Sequence, residues 1–187
     1  MTRARAVAVA AAAILLAGCG GDIATSAGVP DCEPSGELVT IAQAVPSARF
    51  VPCIETFPIG WSFGEMELRD GRARFWLRND RVGRQAVRVT LAARCDTSGS
   101  TEAPAPDEDI RRSLRVDDLD THSRGTWLHE FEGGCVSYDF AVPRGRYDFD
   151  AFEVELDAAL DFISRAALAR EVERRYDTEL DPVPSDT

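Results

Sequence analysis

The sequence predicts an α+β domain in which an antiparallel β-sheet, or a sandwich-like meander, packs with two C-terminal helices and is stapled by two disulfides. Three observations predict it. Residues 61–95 and 126–142 alternate apolar and polar side chains with the two-residue period of half-buried strands. Residues 150–176 change to helical spacing. Four cysteines, Cys32, Cys53, Cys95 and Cys135, are spread along the body of the chain. The length fits one domain with a sizeable core and leaves little room for a second.

Taken in order, residues 38–57 hold two short apolar runs separated by Pro46-Ser47, which predict an edge strand and a partner that includes Val51 and Cys53. Residues 61–69 and 72–78 flank Asp70-Gly71, a pair that tolerates the positive φ of a tight hairpin. Ala73, Phe75 and Leu77 then face the core, while Arg72, Arg74, Trp76 and Arg78 take the other side. A turn around residues 79–83 leads to a strand in which Val87, Val89, Leu91, Ala93 and Cys95 share a parity, directing the Cys95 sulfur inward. Residues 97–107 read as an exposed loop, and 110–116 as a short helix or strand. Strand character returns at 126–131 and 135–142 around Gly133-Gly134, giving an antiparallel meander.

The C-terminal unit opens with Asp150 as helix cap, Glu153 three residues on, and Phe149 with Val154 as a hydrophobic staple. Phe152, Leu156, Leu160 and Ile163 form one stripe, whereas Leu168, Val172 and Tyr176 fall on the opposite side. This change of phase predicts a break, with Ser164 capping a second helix. Arg174 and Arg175 suit its C-terminal dipole.

An even cysteine set outside the cytoplasm predicts two disulfides, for which three pairings are open. Cys32–Cys53 with Cys95–Cys135 is favoured because each bond joins neighbouring segments. No CxxC pair suggests redox chemistry, and the spacing, with only His122 and His129 as imidazoles, predicts no metal site. The acids Asp107, Glu108, Asp109, Asp117, Asp118 and Asp120 lack calcium-loop spacing and read as solvated surface. No cofactor is expected.

At the N-terminus, Arg3 and Arg5 precede an apolar run, Ala6 to Ala17, too short for a spanning helix and ending at Gly18-Cys19. This order resembles a bacterial lipoprotein signal. The resemblance implies cleavage of residues 1–18, lipidation of Cys19 with acyl chains such as palmitate, and anchoring at the extracytoplasmic face of the cell membrane. Residues 19–37 then read as a linker, 38–180 as the domain and 181–187 as a tail. The full chain has formal charge −11, every basic side chain is arginine, and two of its 21 arginines fall in the signal. Such an acidic body disfavours nucleic acid or an anionic bilayer surface as a partner.

The segments Trp61-Ser62-Phe63, Arg72-Ala73-Arg74-Phe75-Trp76, Cys95-Asp96 and Gly133-Gly134-Cys135-Val136-Ser137-Tyr138 resemble uncharacterised extracytoplasmic domains of actinobacterial membrane proteins and lipoproteins, over about residues 38–182. That resemblance implies the envelope location and carries no active residues.

The function expected is therefore a noncatalytic, membrane-tethered interaction or ligand-binding module with an envelope or membrane protein as partner. Its contact surface is expected near Trp61 and Trp76, with Arg72, Arg74 and Arg78 recognising acidic groups. The alternatives are a structural envelope domain, or a hydrolase using His122 in a polar loop or His129 on a strand. Ser123, Ser137 and Ser164 lack a nucleophile-elbow context. Oligomeric state is not legible.

Overall fold

The computed structural model describes residues 24–26, 28–105, 107–118, 121–177 and 179–180. The signal 1–18, Cys19, Asp120 and the tail 181–187 lie outside the described residues. Elements follow in the order β1 (Ala24–Ser26), α1 (Gly36–Ala44), β2 (Phe50–Ile54), β3 (Trp61–Arg69), β4 (Arg72–Asn79), β5 (Gly83–Ala92), β6 (Thr101–Ala103), β7 (Arg111–Asp118), β8 (His122–Phe131), β9 (Gly134–Pro143), α2 (Phe149–Ala159), β10 (Leu160–Ser164) and α3 (Arg165–Tyr176).

Among the described residues, eight strands form one antiparallel sheet in the order β1-β3-β4-β5-β9-β8-β7-β6, and β2 pairs antiparallel with β10 as a separate ribbon. The large sheet is two meanders, β3-β4-β5 and β6-β7-β8-β9, joined edge to edge where Val89 opposes Tyr138. Gly71, at φ +75°, makes the β3–β4 turn that its neighbour Asp70 announces. A bulge between Phe63 and Met66 brings β3 so close to β4 that a Cβ on Gly64 would lie 2.9 Å from the Trp76 carbonyl oxygen.

Alternation decides which face is covered. Ala73, Phe75 and Leu77 of β4, Val87, Val89 and Leu91 of β5, and Val136, Tyr138, Phe140 and Val142 of β9 are buried in one cluster with Leu38 and Ile41 of α1, Phe152 and Leu156 of α2, and Leu168 and Val172 of α3. The helices and the β2–β10 ribbon thus form a second layer on one face of the sheet. Phe140, Phe149 and Trp61 close around Phe152 at ring centroid distances of 5.5 to 6.4 Å. The bonds Cys32–Cys53 and Cys95–Cys135 are both formed, the first joining the segment before α1 to β2 and the second spanning the β5–β9 seam.

Several local expectations are corrected. Residues 36–44 form a helix and not an edge strand: Ser35 accepts from the Leu38 amide, and Leu38, Ile41 and Ala42 make a buried stripe. Within 97–107, Thr101–Ala103 pairs with β7, so that stretch is only partly loop; 111–118 is a strand. Strand β5 ends at Ala92, leaving Ala93 exposed and Cys95 half-buried. Because Cys135 opposes Ala92, its bond to Cys95 lies on the sheet face away from the helices. The α2 cap is Asp148, which accepts from the Ala151 amide, and not Asp150; Val154 is 69% exposed and staples nothing. The phase break after α2 is a strand, in which Leu160 and Ile163 pair with Ile54 and Val51. Ser164 caps α3 as expected, accepting from the Ala167 amide.

Candidate interaction surface

The sheet face away from the helices carries the candidate surface. Strand register sets its rows: Glu67, Arg74, Thr90, Ser137 and Leu128 run across five strands, and beside them Trp76, Arg88, Asp139, Thr126 and Arg115 do the same. Arg72 lies one pleat further along β4, opposite Arg69. A shallow depression of about 210 Å³ on this face is lined by Arg72, Arg74, Arg88, Arg94 and Arg115. Leu128 and Thr126 also line it and are almost fully buried there.

Part of this charge is neutralised. Arg88 donates through Nε and Nη2 to Asp139 Oδ2 at 3.2 and 3.0 Å, and Thr126 Oγ1 donates to Asp139 Oδ1 at 2.8 Å. Arg115 donates to the Asp96 and Ser98 carbonyl oxygens at 3.3 and 3.2 Å. Arg72, Arg74 and Arg78 have no ion-pair partner among the described residues, and the Arg74 Nε is buried without a hydrogen bond. Burial first, then the charges of Arg72 and Arg88, hold the Arg74 guanidinium below its ordinary pKa. Trp76 is half-buried between Arg74 and Arg78, presenting apolar area beside free guanidinium groups.

Of the residues expected to form this surface, the fold brings Trp76, Arg72, Arg74 and Arg78 together and separates Trp61 from them. Trp61 opposes Asn79 on the core face, is 6% exposed, packs on Phe152, and donates Nε1–H to Glu155 Oε2 at 2.6 Å. It belongs to the core. Arg88 and Arg115 join the surface without having been singled out. The parity of Arg88 between Val87 and Val89 carried the signal, whereas Arg115 depended on pairing that local sequence does not reveal.

The two histidines lie apart. His122 begins β8, half-buried rather than in an open loop, with Nδ1 2.9 Å from Thr121 Oγ1. His129 shares its face with Trp127 and Phe131 as expected, is 3% exposed, and has no hydrogen-bond partner for Nδ1 among the described residues. Burial, then the charge of Arg112, pushes it down to about 3, so it is neutral near pH 7. The acids flank β7 at its two ends, Asp107 and Asp109 before it and Asp117 near its close. Among the described residues, no three His, Cys, Asp or Glu side chains converge as a metal site.

Neither a family model nor a curated protein matches the chain. A crystal structure of a protein from Bacteroides thetaiotaomicron is similar at TM-score 0.36 and 13% identity, over 71% of this chain and 60% of that one. The chain therefore spans less than two thirds of that protein's length. No helix among the described residues is long and apolar enough to cross a membrane, and the two disulfides are compatible with an extracytoplasmic location.

Proposed function

We propose that this protein is a membrane-tethered envelope module that binds an acidic surface of a neighbouring envelope protein through the sheet face carrying Trp76. One observation carries the reading: a chain of formal charge −11 concentrates Arg72, Arg74 and Arg78 beside Trp76, and none of the three is in an ion pair among the described residues. Guanidinium groups bind carboxylates in bidentate fashion, and a tryptophan among them supplies the apolar area typical of interface anchors. A lipid anchor on Cys19 would raise the local concentration of a membrane-borne partner, so modest affinity is enough and no reacting group is required.

The test uses the full-length anchored protein with a photocrosslinking amino acid at position 78, and a control at position 154 on the helical layer. The expected result is a partner captured from position 78 alone, through an acidic segment, and lost when Arg72 and Arg74 are changed to Glu. Capture that is equal from both positions, or unaffected by the charge reversal, would sink the reading.

A further inference from the structure

A second site lies on the helical side of the sheet. Between the end of β6, strands β7–β9 and the α2–β10 corner is a pocket of about 550 Å³, within the size range of small-molecule sites. Arg112, His129 and Tyr138 all line it. Strand register sets Arg112 opposite His129, and the His129 and Tyr138 ring centroids are 4.7 Å apart. Each of the three carries a buried polar atom with no hydrogen-bond partner among the described residues: Arg112 Nε, His129 Nδ1 and the Tyr138 hydroxyl. His129 and Tyr138 are at most 3% exposed, and the Arg112 side chain is 11% exposed. A polar group left unmet in a protein interior forfeits the hydrogen bonds it makes to water. Three around one pocket point to a bound group that meets all of them together.

The hydrogens on these atoms define that group. Arg112 Nε–H only donates, so it requires an acceptor. Burial raises Tyr138, which keeps its proton and offers a second donor. His129 is neutral near pH 7, so one ring nitrogen carries a hydrogen and the other accepts. A carbonyl oxygen has lone pairs for both donors, and an N–H on the same planar group donates to His129 Nδ1. That combination is an amide. The surrounding charges disfavour an ion. Arg112 is already answered, donating to Asp157 Oδ1 at 2.9 Å and lying 3.6 Å from Glu153. Glu55, Asp157 and Asp161 stand exposed in the lining, so a carboxylate would sit among acids beside an arginine that is already paired. An ammonium brings only hydrogens and leaves Arg112 Nε–H unmet. Phe162 is half-buried against both polar rings, with centroids 5.3 Å from His129 and 6.4 Å from Tyr138. A ligand that turns this ring aside reaches the polar atoms and gains an apolar wall, which Pro104 and Leu160 extend.

We propose that this pocket binds a small neutral amide: its carbonyl oxygen accepts from Arg112 Nε and the Tyr138 hydroxyl, its N–H donates to His129 Nδ1, and its apolar body rests on Phe162. The site lies on the opposite side of the sheet from the arginine surface, so the two are separable by mutation.

Isothermal titration calorimetry of the purified full chain at pH 7 compares phenylacetamide, phenylacetate and phenethylamine, which share a phenyl ring on a short arm and end in an amide, an anion and a cation. The expected result is saturable binding of phenylacetamide and binding about tenfold weaker, or none, for either ion. Tyr138→Phe deletes only the hydroxyl. It is expected to raise the urea midpoint of the empty protein, because an unmet group is removed, and to weaken phenylacetamide binding about fivefold, as loss of one neutral hydrogen bond does. Arg78→Glu, on the far face, leaves that binding unchanged. Absence of phenylacetamide binding, equal binding of either ion, or wild-type affinity in Tyr138→Phe would overturn the proposal.

Discussion

At the scale of single residues, His129 gives the sharpest pH signature. Its folded pKa, about 3, lies below the 6.5 of an unperturbed imidazole because charging it would bury a cation beside Arg112. A depressed histidine binds fewer protons folded than unfolded, so its contribution is complete above about pH 6.5 and is lost as pH falls toward 3. Wild type should therefore lose about 1–2 kcal/mol relative to His129→Phe between pH 6.5 and pH 5, read from urea unfolding at each pH. His122→Phe is the control. Parallel pH curves for wild type and His129→Phe would contradict the assignment. The alternation of Trp127, His129 and Phe131 made the burial legible; the missing partner of Nδ1 was not, because it depends on Phe162 and Arg112 arriving from elsewhere in the chain. Trp61 failed for a related reason. Its strand parity is reset by the bulge before Met66, and only the pairing with Asn79 reveals the core face.

At the scale of elements, one helix cap of the three was legible. Ser164 was readable because the apolar stripe changes phase around it; the intervening strand was not, because β10 exists by pairing with β2, about a hundred positions earlier. In α1, the stripe Leu38, Ile41, Ala42 was present, but Val39, Thr40 and Ile41 are β-branched and bias a short window toward strand. Asp148 and Ser164 each accept one otherwise unpaired helix N–H. Asp148→Ala and Ser164→Ala should each cost about 1 kcal/mol. Because α2 and α3 flank β10 and share the core cluster, the two losses should be felt in one cooperative transition, seen as a lower denaturation midpoint with unchanged slope. A second, separate transition for α3 would show that it docks independently.

At the scale of the whole molecule, two meanders meet at β5 and β9, and the bond Cys95–Cys135 crosses near that seam. It closes 40 positions, and Cys32–Cys53 closes 21. Loop-closure entropy gives about 4 and about 3 kcal/mol respectively, so Cys95→Ala/Cys135→Ala should lower unfolding free energy more than Cys32→Ala/Cys53→Ala. The reverse order would show that the Cys32 segment contributes more than chain entropy. The proposed anchor acts at this scale too. Ala24 of β1 opposes Leu68, next to the Asp70-Gly71 turn, so the chain leaves the sheet at that end and Ile59 lies at the other. Four residues, 20–23, separate Ala24 from Cys19, so five Cα-to-Cα steps span at most about 18 Å of chain. A lipidated Cys19 would therefore keep the β3–β4 turn, and the arginine face beside it, within reach of membrane-borne partners. Cell fractionation of wild type and Cys19→Ala tests this: wild type is expected with the membranes and the variant in the soluble fraction. Equal partition of the two would remove the tether, and with it the local concentration on which a weak partner interaction depends.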